Sequence, residues 1–224
     1  MTSGPASGPH VGTSGTPGNG HRTGLLVDFG GVLTTNVFVA FGGFCTREGL
    51  EPDFVRRAFR EDPRSRGALE GLETGTLSEA DFEREFGTAL GLPEDAHAGL
   101  IERLWADLGP DDEMIEAVAG FRERGVRTGL ISNSWGTALK YEDDLMERLF
   151  DGLVISHLEG IRKPAPEIYA LGAERIGLPP EACVFVDDLP GNLKPARAMG
   201  MATVVHTTAD ETVPQLEELL GVTL

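Results

Sequence analysis

This 224-residue chain is poor in several of the residues that usually carry chemistry or rigidity. It has two cysteines, Cys45 and Cys183, far apart in sequence, so a disulfide framework is excluded as the basis of the fold. Cys183 lies in the apolar run ACVFV, where a buried reduced thiol is the natural reading and a reducing compartment the natural setting. Its five histidines are scattered, with no His or Cys pair at zinc-ligand spacing. Bases are scarce: 19 Lys and Arg stand against 36 Asp and Glu, a formal charge of −17. That balance argues against a nucleic-acid backbone or an anionic lipid surface as a partner. No apolar run reaches membrane-spanning length, and the first residues hold no secretory apolar core, so the expectation is a cytoplasmic protein.

The hydrophobic fraction, 40%, is enough for one sizeable core or for a core with a smaller satellite. Residues 1–23 are Gly-, Ser- and Pro-rich and read as a flexible tail. Beyond them, four apolar runs rich in β-branched residues read as strands buried on both faces: LLVDF from Leu25, VRTGLIS from Val126, ACVFVDD from Ala182 and ATVVHT from Ala202. Leu153-Val154-Ile155 is a weaker fifth. Helical stretches precede the second strand and the ACVFVDD strand, closed by Gly125 and Gly177. The alternation implies an α/β fold, a doubly wound parallel sheet with right-handed crossovers.

Residues 36–110 break the alternation. PDFVRRAFRED and LSEADFEREFGTALG are helix-like, with Ser78 placed to cap and Phe82, Phe86 and Leu90 four residues apart. The simplest organisation is a core of residues 24–35 and 111–224 with a helical cap, 36–110, inserted after the first strand. Such an insert sits over the carboxyl ends of the strands, where open α/β sheets bind ligands.

Those strand ends carry polar residues. Asp28 ends the first, Ser132 and Asn133 the second, and Asp187 with Asp188 the ACVFVDD strand; Lys163 stands just before a helix. Singly, Ser132 reads equally as an ordinary hydroxyl, Lys163 as a solvated side chain and Asn192 as a helix cap. Adjacent acids after an apolar run repel each other and lose hydration unless something cationic meets them. Converging on one edge, the set suits a carboxylate nucleophile, a divalent cation with oxygen ligands and a phosphoryl group.

In this arrangement the chain resembles the haloacid dehalogenase-like (HAD) superfamily of hydrolases. DFGGVL, ISNS, RKPAPEIY and VFVDDLPGNLKPARAMGM match its four ordered motifs. The match is best with the phosphatase-like branch that includes the amino-terminal domain of soluble epoxide hydrolase and small sugar-phosphate phosphatases. The resemblance implies a Rossmann-like core, Mg²⁺ as cofactor, a small phosphorylated substrate and an aspartyl-phosphate on Asp28. It further implies metal ligation by Asp28, the Gly30 carbonyl and Asp188, with Asp187 and Asn192 in support. Ser132 and Asn133 would hold the phosphoryl group, and Lys163 would orient it and Asp28. One position departs from the pattern: the second Asp expected two residues after the nucleophile, the proton donor to the leaving group, is Gly30. Two other readings therefore stand beside the phosphatase: a metal-free 2-haloacid dehalogenase, and a catalytically weak or inactive binding protein on the same scaffold. Phe38, Phe41, Phe44 and Trp135 are placed either to line a pocket under the cap or to pack cap on core.

Overall fold

The computed structural model describes residues 20–136 and 142–224. The expected tail lies, up to residue 19, outside the described residues. Five parallel strands, β1 (Gly24–Val27), β2 (Arg127–Ser132), β3 (Gly152–Ile155), β4 (Cys183–Asp187) and β5 (Ala202–Val205), are ordered β3-β2-β1-β4-β5. From β1 the chain first builds outward through β2 and β3, then crosses back to add β4 and β5 on the other side. The crevice of such a sheet opens where the winding reverses, between the carboxyl ends of β1 and β4.

After β1 come five helices: α1 (Val37–Arg47), α2 (Phe54–Glu61), α3 (Pro63–Glu73), α4 (Glu79–Ala89) and α5 (Leu100–Leu104). The chain then continues through α6 (Asp112–Glu123), α7 (Asp143–Leu149), the single turn α8 (Ser156–Glu159), α9 (Pro166–Arg175), α10 (Pro190–Ala198) and α11 (Ala209–Leu220). Side chains alternating along each strand feed two layers. Leu25, Val27, Val184 and Val186 pack with Met114, Val118, Phe121 and Leu216 of α6 and α11, whereas Leu26, Ile131 and Phe185 pack with Ile168, Tyr169 and Leu193 of α9 and α10. Both faces are covered, so the strands read as continuous apolar runs rather than as alternating ones. Gly125 and Gly177 have φ of +89° and +73°, the left-handed geometry that follows the ends of α6 and α9.

The first five helices have a core of their own, with Phe44, Cys45, Leu72, Phe82, Phe86 and Leu100 buried together. Ser78 caps α4 by accepting from Asp81 N at 3.1 Å. Three of these helices, α1, α3 and the short α5, were not named from the sequence. VFVAFGGFCTR looks too glycine-rich for the helix α1 it forms, yet a Cβ on Gly43 would collide with the Asp107 carboxylate, which Arg47 binds. Helix α3 starts at Pro63, with Asp62 as its cap accepting from Ser65 N at 2.9 Å. The segments entering and leaving this helical group run together: Thr34 and Pro110 form an antiparallel bridge, Thr35 N donates to Gly109 O at 2.8 Å and Asp111 N to Leu33 O at 3.0 Å. Cys45 and Cys183 are both buried and unbridged, and no helix of the described residues is long and apolar enough to cross a membrane.

Candidate active site

Asp28 follows β1 directly, and its N–H donates to Val186 O at 2.9 Å, which carries the pairing with β4 one residue past the strand. Its side chain therefore emerges beside the end of β4. Oδ1 accepts from Phe29 N at 2.7 Å and lies 2.6 Å from Lys163 Nζ. Lys163, 1% exposed, reaches from the loop before α9 and also donates to Asp187 Oδ2 at 2.8 Å. The remaining capacity of Asp187 is filled by Leu189 N at 2.8 Å and by Asn192 Nδ2 at 2.9 and 3.0 Å, and Asn192 is fixed in turn by Tyr169 donating to its carbonyl at 2.6 Å. Asp187 is thus fully occupied in holding its neighbours. Asp188 stays available: its carboxylate lies against Gly31, where a Cβ would come within 2.5 Å of Oδ2. Gly31, at φ +77°, satisfies both that approach and the left-handed turn.

Oxygens of Asp28, Asp187 and Asp188 lie within 4.8 Å of one another. Burial pushes the Asp28 carboxyl well above its ordinary value; Lys163 pulls it back, and Asp187 and Asp188 add to the rise. Asp188 is raised to about 6, by burial first and Asp187 next. Lys163 moves the other way. Burial works against its charge, but attraction to Asp187 and Asp28 outweighs that and holds the ammonium firmly protonated. Three carboxylates against one ammonium leave an excess of negative charge in an all-oxygen donor set, which fits a hard divalent cation such as Mg²⁺.

Asn133, after β2, does something the sequence does not announce. Its Oδ1 accepts from Lys163 N at 2.8 Å and its Nδ2 donates to Lys163 O at 3.1 Å, so the side chain clasps the backbone that carries the lysine. The Lys163–Pro164 peptide is cis. Ser132 is buried at the end of β2, and the cavity wall beside it is made by Asn133 and Trp135.

That cavity, about 240 Å³, lies between the carboxyl ends of the strands and the helical insert. Asp28, Gly30, Lys163, Asp188 and Asn192 form its polar end, and Phe38, Phe41, Phe59, Trp105 and Trp135 much of the remaining wall. Phe41 sits 5.3 Å from Trp105 and 5.9 Å from Trp135, ring centre to ring centre. Phe44, by contrast, is wholly buried in the core of the insert. Two charged lining residues, Glu73 and Arg162, and the wall aromatics Phe59 and Trp105 were not read from the sequence. Glu73, at the end of α3, is 5% exposed, with Oε2 2.6 Å from Arg162 Nε and 3.4 Å from Asn133 Nδ2. Burial raises it to about 7, against the pull of Arg162, Lys163 and a hydrogen bond from Trp135. Arg162 precedes Lys163 directly, the one hint available in sequence; Glu73 sits in a helix whose composition does not announce it.

Residues 23–200 match the model of the haloacid dehalogenase-like hydrolases, and the chain belongs to that family. Among its relatives, the sesquiterpene phosphatase astK of Aspergillus oryzae is 30% identical over 158 residues, covering 68% of this chain and 79% of that protein. Bifunctional epoxide hydrolase 2 of Rattus norvegicus is 32% identical over 114 residues, 48% of this chain but 21% of the relative, so the chain spans about a fifth of that protein's length. For acyl-CoA dehydrogenase family member 10 of Mus musculus, 36% identical over 109 residues, the share is 10%. In fold, the chain is similar to a HAD family enzyme of Bacteroides thetaiotaomicron crystallised with magnesium and inorganic phosphate, with a TM-score of 0.63 at 21% identity over 84% of this chain and 95% of that one.

Proposed function

We propose that the protein is a Mg²⁺-dependent phosphatase of a small phosphorylated metabolite, working through an aspartyl-phosphate on Asp28. The observation that carries this reading is the buried Asp28–Lys163–Asp187 chain, with Asp188 beside it and excess negative charge that a cation would balance. Asp28, Asp188 and the Gly30 carbonyl would hold the metal, which when bound offsets the charge of the phosphoryl group and of Asp28. Asp28 is buried and surrounded by acids, so its ionised form, the nucleophile, depends on that compensation. A carboxylate oxygen of Asp28 bonds to phosphorus as the ester P–O bond breaks, and the leaving oxygen keeps the electron pair and takes a proton. Water then attacks the phosphorus of the acyl phosphate, releasing inorganic phosphate and restoring Asp28. Lys163 binds phosphoryl oxygens while remaining tied to Asp28, and Asn133 acts by fixing the Lys163 backbone; Ser132, buried just behind the cavity wall, would reach a phosphoryl oxygen only after its hydroxyl turns towards the cavity.

Gly30 supplies no side-chain acid. Positioned acid–base groups contribute about 10²–10⁴-fold, so aryl and acyl phosphates, whose leaving groups need little protonation, should be turned over better than alkyl phosphates. The aromatic wall supports a compact ester with an apolar organic part, in keeping with the A. oryzae relative's name. Two buried free thiols support a cytoplasmic setting. Phosphate release from p-nitrophenyl phosphate should require Mg²⁺, stop with a chelator and vanish in Asp28→Asn. Full turnover without divalent metal, or in Asp28→Asn, refutes the reading. The absent acid at position 30 favours one competitor, a binding protein on the same scaffold. That competitor predicts capture of a beryllium fluoride mimic of the phosphoenzyme with no turnover.

A further inference from the structure

Glu73 is an expensive residue where it stands. A carboxylate in the last turn of a helix faces the negative end of the helix dipole, and here it is buried as well. Nothing in the stability of α3 calls for it. Its backbone carbonyl accepts from Ser156 Oγ at 2.5 Å, which fixes the end of the helix, and its side chain lies on the cavity wall against Arg162. Among the described residues lining the cavity, the cations are Lys163 and Arg162. Lys163 is committed to Asp28 and Asp187, and Arg162 to Glu73.

We propose that Glu73 is a charge filter: by neutralising Arg162 it restricts the cavity to phosphate esters whose organic part carries no second negative charge. This rests on the phosphatase reading and sharpens its substrate class. A carboxylate or second phosphoryl group on the substrate would be stripped of water against Phe41, Phe59, Trp105 and Trp135 and, among the described residues lining the cavity, would meet no cation without an acidic partner. A neutral group loses far less. Without Glu73, the Arg162 guanidinium becomes free to accept such an anion.

The test compares two phosphate esters of similar shape, 4-carboxyphenyl phosphate and 4-carbamoylphenyl phosphate, at pH 8, where Glu73 is ionised. The readout is the ratio of their kcat/KM values, in which the fraction of active protein cancels. Wild type should favour the carbamoyl ester. Glu73→Gln should raise the carboxyl-to-carbamoyl ratio about 10- to 100-fold, the worth of one hydrogen bond to a charged group. The double variant Glu73→Gln with Arg162→Gln should return it to the wild-type level or below. An unchanged ratio in Glu73→Gln, or a rise that persists in the double variant, overturns the proposal. The matching aryl phosphonates give the same ratio as Kd values, without turnover, so an inactive wild type counts against the phosphatase reading alone. Should Glu73→Gln not fold, the wild type supplies the decision by the same Kd ratio: at pH 5.5, where Glu73 is protonated and the ligand carboxylate is still ionised, the carboxyl phosphonate must gain on the carbamoyl one relative to pH 8, and an unchanged or lower ratio refutes the filter.

Discussion

Replacing Lys163 by Met removes one positive charge from among three acids while nearly preserving volume. The wild-type ammonium is 1% exposed and makes contacts of 2.6 and 2.8 Å to Asp28 and Asp187. Removing one partner of a buried ion pair costs about 3–5 kcal/mol, because the charge left behind has neither water nor a counterion. Here two carboxylates are left, with Asp188 adjacent, so the upper part of that range applies to the metal-free protein. With a urea m-value near the top of the usual range, about 2–3 kcal/mol/M, the midpoint at pH 7.5 should fall by about 1–2 M at unchanged m. Two controls separate this cause from a packing defect. Lowering the pH should shrink the deficit, since protonated carboxyls no longer repel, and millimolar Mg²⁺ should recover part of it, since a cation that binds only the folded state stabilises that state. A midpoint shift under about 0.3 M, or one of the same size at pH 5 and without regard to Mg²⁺, would refute the electrostatic account.

Gly31→Ala should cost about 1–2 kcal/mol from the left-handed backbone alone and, by displacing Asp188, weaken Mg²⁺ binding measured by calorimetry by at least about tenfold. Gly30→Asp should raise turnover of alkyl phosphates relative to aryl phosphates by about 10²-fold, best when combined with Val37→Ala, because the new Cβ lies 3.3 Å from Val37 Cγ2; equal effects on both ester classes would count against a leaving-group role. Glu73 binds its proton more tightly folded than unfolded. Its contribution is therefore intact below its ordinary value and is lost as pH rises through about 7, a fall of about 3 kcal/mol between pH 4.5 and 7 that Glu73→Gln should remove from a stability–pH curve.

The sheet was legible because burial on both faces leaves apolar runs, and each of the five expected strands is present to within one or two residues. The convergence of the candidate site's acids was legible for a related reason: Asp28 and Asp187-Asp188 end such runs, and topology alone brings parallel strand ends to one edge. What could not be read depends on partners far away in sequence. Helices α1 and α3 carry two internal glycines each, and packing by Phe44 and Leu72 overrides that local weakness. Asn133 hydrogen-bonds the backbone of Lys163, 30 residues on, and Glu73 pairs with Arg162 on the cavity wall, contacts that no periodicity or turn chemistry records.

The bridge between Thr34 and Pro110 has a consequence for how such a molecule can change. The chain leaves the sheet and returns to it at adjacent points, so to the core everything between is a loop whose ends already touch. Such a segment can be lengthened, shortened or exchanged with little change in closure entropy for the sheet. Asp28, Lys163, Asp187 and Asp188 all lie outside it, while Phe38, Phe41, Phe59, Glu73 and Trp105 lie within it. Replacement of this one insert would therefore rewrite most of the aromatic wall of the cavity and leave untouched the acids at the strand ends.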